Sequence, residues 1–286
     1  MGYNPRMYIL FDIGGTKMRV AASKDGATLS EPKIVETPKD FEQGINTLVA
    51  IANECAGNEQ IQGVAGGIPG PLDKEKTMVV NAPNLAAWNN KPFMQELQKR
   101  LKTPVKLEND AVLAGLGEAV YGAGKNHRIV VFMTISTGIG GARIEDGKVT
   151  ENILGFEPGH QILNVQDSQT KCGCGGFGHL EAYASGSAVE RRYGKKPAKI
   201  TDQAVWDELA KILAAGVHNT IVHWSPDIVV LGGSMITKEP GISLEKVRQN
   251  VQDIMKIFPE VPSIEKVTLR GAEGLYGALA LLKNNE

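Results

Sequence analysis

The chain has 286 residues, of which 42% are hydrophobic and 22% charged, with a formal net charge of -1. This composition is typical of a globular protein and is sufficient for two modest domains. The sequence contains no large basic or acidic block, which argues against a general nucleic-acid binder and against a membrane-surface protein. No apolar run reaches the length that spans a bilayer, and residues 1–6 lack the design of a signal peptide. Three cysteines suit a reducing compartment, so a cytoplasmic enzyme is expected.

The first predicted elements are two strands joined by glycines. An apolar run over 7–12 ends in Asp12, the turn Gly14-Gly15-Thr16-Lys17 follows, and 18–23 continues without helical character. A P-loop or a dinucleotide fingerprint places its glycines between a strand and a helix instead. A glycine turn between strands exposes backbone N–H groups that can cradle phosphates, and Asp12 could hold Mg²⁺ through water. A plain hairpin turn, for which Gly-Gly is common, is the alternative.

Apolar periodicity predicts two helices in the next part of the chain. The first covers 38–56 and is closed by Gly57, and the second covers 91–101 with Pro92 near its start. A strand over 61–66 lies between them and runs into a loop over 66–71 that is too rich in glycine and proline for regular structure. Cys55, within the first helix, is assigned to the core.

The stretch Asn109-Asp110 stands where a predicted strand over 103–107 hands over to a predicted helix over 111–120. A carboxylate at such a junction lies at the rim where active sites of α/β proteins gather. The alternative is that Asp110 only caps the helix, which Asp and Asn do well. The choice between the two depends on the rest of the chain.

The N-terminal design recurs about half a chain later. A strand over 129–135 meets a second glycine turn over 136–141, a short strand leaves it, and Glu145-Asp146-Gly147 turns the chain again. An internal repeat of this kind predicts two similar domains, related by a pseudo-two-fold axis and facing a cleft. Two phosphate-type turns that include Gly14 and Gly138 suit a triphosphate better than either does alone, so nucleotide binding is favoured.

A loop-rich stretch over 156–181 carries two histidines and two cysteines. His160, Cys172, Cys174 and His179 form a plausible tetrahedral Zn²⁺ set of two nitrogens and two sulfurs. The alternative is free thiols with surface histidines, because the Cys-x-Cys spacing is tighter than in zinc fingers. A disulfide between the two cysteines would require strained geometry. Four protein ligands leave no open position, so the predicted site is structural.

The C-terminal part is predicted to alternate helix and strand. A long helix capped by Thr201 precedes a strand over 227–231, which ends in Gly232-Gly233. A nucleoside could lie against this bare backbone, although an ordinary strand-end loop explains the glycines equally. A helix over 243–257, a strand over 264–269 and a final apolar helix over 272–283 complete the chain.

Together these motifs resemble the ROK (repressor, open reading frame, kinase) family of sugar kinases. The resemblance rests on the following stretches in chain order: DIGGTK at 12–17, IPGP at 68–71, APNL at 82–85 with Trp88, Asn109-Asp110, TGIGG at 137–141, Glu157-x-Gly159-His160, and CxCGxxGxxE at 172–181. It implies an actin-like, ribonuclease-H-like ATPase fold with two similar α/β domains around a cleft. The domains are predicted to cover 1–118, with the last helix over 272–286 packing back on it, and 119–271, which holds the zinc loop over 157–181.

The resemblance also implies roles for individual residues. Asp110 matches the general base that takes the proton from a sugar hydroxyl. Six other residues match the sugar site: Gly70, Asn84, Asn109, Glu157, His160 and Glu181. Nine match the nucleotide site: Asp12, Gly14, Gly15, Thr16, Lys17, Thr137, Gly138, Gly232 and Gly233. The implied cofactors are ATP, Mg²⁺ and structural Zn²⁺, and the implied assembly is a homodimer.

One position departs from the family pattern, because His179 stands where the family usually has a fourth cysteine ligand. A neutral imidazole binds Zn²⁺ with less charge than a thiolate, so weaker zinc binding with more loss at low pH is expected. Only six residues precede Met7, too few for the helix-turn-helix of the family's repressors.

The resemblance predicts ATP-dependent phosphorylation of a hexose, with glucose at its 6-hydroxyl as the first choice. Mannose, fructose and N-acetylhexosamines stay open as substrates. Two other classes of function compete: a non-catalytic sugar sensor of the same fold, and an actin-like ATPase that acts on protein partners.

Overall fold

The computed structural model describes residues 7–284, apart from the side chain of Pro83. The signal-peptide and helix-turn-helix predictions for residues 1–6 lie outside this range. The chain forms two compact units, one of residues 7–121 with 269–284 and the other of residues 122–268. Within the described range, no helix has both the length and the apolar character needed to cross a bilayer.

The first unit contains a five-stranded sheet in the order β3-β2-β1-β4-β5. The strands β1, β2 and β3 pair antiparallel, whereas β1, β4 and β5 run parallel to one another. Their bounds are β1 Met7–Ile13, β2 Lys17–Ser23, β3 Lys33–Glu36, β4 Ile61–Ile68 and β5 Val105–Asn109. The helices among them are α1 Phe41–Ala56, α2 Phe93–Leu101 and α3 Asp110–Tyr121.

The second unit repeats this topology. Its sheet has the order β10-β9-β6-β7-β8. Read from β8 to β10, the strands of this unit follow the order third, second, first, fourth, fifth, which is the order of the first sheet. The strands are β6 Ile129–Ile135, β7 Ile139–Glu145, β8 Lys148–Val149, β9 Ile228–Gly232 and β10 Ser263–Lys266. The helices are α4 Leu180–Ala184, α5 Gly186–Tyr193, α6 Gln203–Trp224, α7 Ser234–Thr237 and α8 Leu244–Ile254. The internal repeat seen in the sequence is therefore a repeat of whole sheets.

The last helix, α9 Glu273–Lys283, packs on α3 in the first unit. Glycines allow the two backbones to approach closely, because a Cβ on Gly117 would lie 2.1 Å from Glu273 O and one on Gly277 would lie 1.9 Å from Leu113 O. Neither position can carry a side chain without separating the helices.

Helix starts differ from the sequence expectation in an informative way. The side chain of Asn109 caps α3 by accepting from Ala111 N–H and Val112 N–H, and Asp110 Oδ1 also lies 2.9 Å from the Ala111 nitrogen. Likewise α6 is capped by Asp202, one residue after the predicted Thr201. In each case two adjacent residues can cap, and backbone geometry decides which of them does. Asp110 is the first residue of α3 and directly follows the capping residue Asn109.

Candidate functional site

Three parallel strands of the first unit end at the same edge of their sheet. Asp12 of β1 is in register with Gly67 of β4, which is in register with Glu108 of β5. Because carboxyl ends of parallel strands meet at one edge, the first glycine turn, the loop after β4 and the β5–α3 junction lie together. This edge holds the predicted sugar and phosphate residues of the first unit.

Asn109 and Asp110 occupy the junction between β5 and α3. The Asn109 side chain accepts from Ala111 N–H over 2.9 Å and donates its amide to Gly70 O over 3.1 Å. Asp110 begins the helix, and its Oδ1 lies 2.9 Å from the Ala111 nitrogen. A Cβ on Gly67 would come within 3.2 Å of Asp110 Cα, so a glycine in β4 makes room for the aspartate.

The first glycine turn connects β1 to β2, as the sequence predicts. Gly14 N–H donates to Lys17 O over 2.8 Å, and a Cβ on Gly15 would lie 2.7 Å from Asn84 Cβ. The Lys39 ammonium donates to Gly15 O over 2.7 Å and to Asn84 O over 3.0 Å. The turn is thereby attached to the loop that carries Asn84, and sequence reasoning missed Lys39 because no local pattern marks it.

Asp12 is the next-to-last residue of β1 and lies beside a cation and the start of α9. Arg19 Nη1 lies 3.1 Å from Asp12 Oδ2, since the two residues face each other in the antiparallel β1–β2 pair. Burial raises the pKa of Asp12, and Arg19 opposes this rise. A Cβ on Gly274, in the first turn of α9, would lie 3.1 Å from Asp12 Cγ. One carboxylate near a phosphate-type turn fits the way Mg²⁺ is held in nucleotide sites.

The second glycine turn connects β6 to β7 and is held by residues in the first turns of α4 and α5. Ser136 N–H donates to Gly138 O over 2.9 Å, and Ser187 N–H donates to Thr137 O over 3.2 Å. Glu181 Oε2 accepts from Ile139 N–H over 2.8 Å. A carboxylate that the resemblance assigns to the sugar site thus also braces a phosphate-type turn.

Gly232 ends β9, which runs parallel to β6, and Gly233 follows it. Gly233 has a φ of 86°, and a Cβ there would lie 2.3 Å from Ile135 O. Only glycine fits this backbone conformation and this close approach. The two glycines and the second turn therefore lie at the same edge of the second sheet.

Four residues of the second unit form a cluster that fits a metal ion. The potential ligand atoms of His160, Cys172, Cys174 and His179 all lie within 4.8 Å of one another. His160 Nδ1 is 3.4 Å from His179 Nδ1 and 3.7 Å from Cys172 Sγ, and Cys174 Sγ is 3.3 Å from His179 Nδ1. Tetrahedral zinc with ordinary bond lengths requires about 3.3 Å between nitrogens and about 3.6 Å between nitrogen and sulfur. The donor set and its spacing match zinc.

Backbone hydrogen bonds shape the loop that carries the cysteines. Cys172 N–H donates to Gly176 O over 2.7 Å, and Gly175 N–H donates to Cys172 O over 3.0 Å. Burial raises the pKa of the Cys172 thiol to about 11. The metal-free thiol is therefore protonated at neutral pH, and metal binding must release this proton.

Glu157 precedes a short 3-10 helix, Pro158–His160, and His160 is the last residue of that helix. A cavity of about 420 Å³ is lined by both residues and by His223 and Trp224 of α6. Burial raises the pKa of Glu157, with His160 opposing the rise. A Cβ on Gly159 would lie 2.2 Å from Ile139 O, so this loop packs directly on the second glycine turn.

Comparisons with known proteins agree with this arrangement. The family model described as "ROK family" matches residues 8–285. A glucokinase from Thermotoga maritima is 31% identical over 95% of this chain and 96% of its own. An N-acetyl-D-glucosamine kinase from Pasteurella multocida is 30% identical over 95% of this chain and 97% of its own.

A solved structure gives the same result for the fold. The ROK family glucokinase from Streptomyces griseus, in complex with glucose and AMPPNP, matches with a TM-score of 0.79 and 27% identity. The match covers 96% of this chain and 98% of that chain. The predicted actin-like ATPase fold, with its repeated α/β sheet, is confirmed. The chain belongs to the ROK family.

Proposed function

We propose that this chain transfers the γ-phosphoryl group of ATP to the 6-hydroxyl of a hexose, with glucose as the first candidate. The chain is an ATP-dependent sugar kinase; the hydroxyl and the particular hexose are the proposed part. The observation that carries the proposal is the shared sheet edge, where Asp12, the first glycine turn and Asp110 follow parallel strands of one sheet.

Asp110 is the proposed general base. Its position at the first residue of α3 presents a carboxylate at the same edge as the glycine turn, and Asn109 performs the capping. On this proposal, Asp110 accepts the proton of the 6-hydroxyl while that oxygen attacks the phosphoryl group. Asn109 uses one amide hydrogen on Gly70 O, and its other amide hydrogen is assigned to the sugar.

The remaining sugar contacts are proposed from the family resemblance. They are assigned to Gly70, Asn84, Glu157, His160 and Glu181. The close approaches of Gly15 to Asn84 and of Gly159 to Ile139 support this assignment, because each connects a proposed sugar loop to a phosphate-type turn. A displacement of the loop that carries Asn84 or of the loop that carries Gly159 is therefore expected to displace the neighbouring glycine turn as well.

The two glycine turns are proposed to hold the ATP phosphates. Gly14, Gly15, Thr16 and Lys17 serve the first turn, Thr137 and Gly138 the second, and Gly232 with Gly233 the adenosine side. When bound, Mg²⁺ neutralises phosphate charge, which is the main requirement of phosphoryl transfer. Asp12 would hold the ion through water, and Arg19 keeps its carboxylate oriented.

His160, Cys172, Cys174 and His179 would hold a structural zinc ion, which supplies a rigid crosslink to the loop over 157–181. His160 and His179 approach the cluster through Nδ1. A ligating Nδ1 carries no proton, so the proton of the neutral ring is on Nε2. His160 Nε2–H is thereby a donor, and the proposal assigns it to a sugar hydroxyl.

Gly176→Ala is expected to weaken zinc binding about tenfold or more. A Cβ on Gly176 would lie 2.5 Å from His179 Cε1, so the imidazole must leave its ligating position. Competition with a chromogenic chelator measures the effect. Gly173→Ala is the matched control, because its Cβ would meet only Glu181 Oε1, at 3.9 Å. Equal zinc affinity in the two variants would contradict the role of His179.

A coupled assay of ADP release with a panel of hexoses tests the proposed function. We expect release that depends on the sugar, with glucose giving the highest kcat/KM. Higher kcat/KM with mannose, fructose or an N-acetylhexosamine would change the substrate but keep the reaction, since the relatives include both a glucokinase and an N-acetyl-D-glucosamine kinase. Release without sugar would support the protein-directed ATPase, and no release would support the sensor. The homodimer stays a prediction of the family resemblance, and the cytoplasmic location stays a prediction of the cysteine content.

A further inference from the structure

Residues 70–80 form a loop that leaves β4 and folds back on itself. Asp73 N–H donates to Met78 O over 3.0 Å. The Asp73 carboxylate accepts from Thr77 N–H over 2.6 Å and from Met78 N–H over 2.8 Å. These hydrogen bonds fix the internal conformation of the loop. They do not fix its orientation against β5.

The outer part of the loop is attached to β5 by an ion pair. Lys76 has a φ of 54°, a left-handed conformation that side chains other than glycine disfavour. From this position its ammonium pairs with Glu108 Oε2. The Glu108 side chain is 6% exposed, whereas that of Lys76 is 46% exposed. A carboxylate this deeply buried requires a partner, and Lys76 supplies the charge.

The same glutamate is bonded to the residue before the proposed base. Glu108 Oε1 accepts from Asn109 N–H over 3.0 Å, and the Asn109 amide donates to Gly70 O over 3.1 Å. The root of the loop, at Gly70, and its outer part, at Lys76, are thus both fixed to consecutive residues of β5. Asp110 follows immediately in the chain.

We propose that Lys76 and Glu108 are positioning residues for hexose binding. Their ion pair holds the loop over 70–80 against Glu108 and Asn109, so that Gly70 and Asn109 face the sugar in one fixed arrangement. The inference rests on the proposed function, because it takes the sugar contacts from there. Neither residue is assigned a contact with the substrate.

Lys76→Met is expected to raise KM for the hexose about tenfold, because a small displacement of a binding group is costly. KM for ATP and kcat should change far less, since the glycine turns and the Asp110 carboxylate are intact. The double variant Lys76→Met/Glu108→Gln should be no worse than Lys76→Met, because it removes the buried charge left without its partner. Lys74→Met, an exposed lysine of the same loop, is the control and should change KM less than about twofold.

Lys76→Gly separates positioning from loop conformation. Glycine adopts the left-handed conformation more readily than lysine does, so this variant favours the native loop shape while deleting the ion pair. We expect KM for the hexose to rise as in Lys76→Met, and Lys76→Arg to restore it toward the wild-type value. A wild-type KM in Lys76→Gly would overturn the inference.

Calorimetric titration with hexose in the absence of ATP gives a second readout, in which Kd should rise by the same factor as KM. Unchanged Kd in both Lys76 variants would also overturn the inference, while hexose-dependent ADP release by the wild type would leave the proposed function intact. No release with any hexose would reject the proposed function itself. The Lys76 variants carry the test even where Glu108→Gln lowers the yield of folded protein.

Discussion

Asp110→Asn is expected to lower kcat by about 100-fold or more while hexose affinity stays within a few-fold of wild type. The carboxylate is the proposed acceptor of the hydroxyl proton, and the amide cannot take that proton. Asparagine has the same shape and keeps the oxygen that lies 2.9 Å from the Ala111 nitrogen. The start of α3 should be preserved as well, because Asn109 provides the cap. Steady-state kinetics combined with calorimetric hexose binding measure both quantities.

The control for this variant is Asp253→Asn, an exposed aspartate on α8. It changes the net charge equally and should leave kcat and KM unchanged. Thermal unfolding of both variants should match wild type, since asparagine keeps the shape of the aspartate side chain at each position. A kcat near wild type in Asp110→Asn would falsify the assignment of the base, and loss of hexose affinity without loss of kcat would assign Asp110 to binding instead.

The sequence was sufficient to predict the architecture because the architecture repeats. Glycine turns between strands, instead of between strand and helix, excluded the P-loop, and both turns occur where they were expected. The identical strand order of the two sheets follows from the same repeat. β3, at Lys33–Glu36, had not been predicted. It is a four-residue edge strand, too short for an alternating pattern to stand out.

The parts of the candidate site that escaped prediction are those that depend on distant pairs. Glu108 pairs with Lys76 across 32 residues, and Lys39 binds the Asn84 carbonyl across 45. Periodicity describes neighbours along one element and contains no information on such pairs. Arg19 is an intermediate case. The hairpin is centred on Gly15-Thr16, the middle of the predicted turn over 14–17, and this register places Asp12 opposite Arg19, so the pair could have been deduced from the predicted turn.

The sequence predicts the four residues of the zinc cluster, but only the structure shows which other residues the cysteine loop supports. Glu181 accepts from Ile139 N–H over 2.8 Å and lies 3.5 Å from Cys172 Sγ. One carboxylate therefore lies between the cysteine loop and the second glycine turn. Disorder of the cysteine loop should disturb both the proposed sugar residues and a phosphate-type turn, which is more than the sequence motif alone implies.

Cys172→Ser is accordingly expected to reduce zinc content from about one ion per chain to near zero and activity by about 100-fold. Serine cannot supply a thiolate, and the remaining three ligands hold the ion too weakly for the loop to stay ordered. Metal analysis of purified protein and the hexose-dependent assay measure the two effects. Cys55→Ser, in α1 of the other unit, should change neither.

Zinc binding by a site that includes His179 should depend on pH. Zinc binds only deprotonated thiols and neutral imidazoles, so protons compete with the ion and its apparent affinity must fall as the pH is lowered. His179→Cys supplies a thiolate at this position and should hold zinc about tenfold more tightly than wild type in chelator competition at pH 7.5.

Normal activity of a wild-type preparation that contains no zinc would reject the structural role of zinc altogether. Normal zinc content with low activity in Cys172→Ser would instead assign Cys172 to the bracing of Glu181.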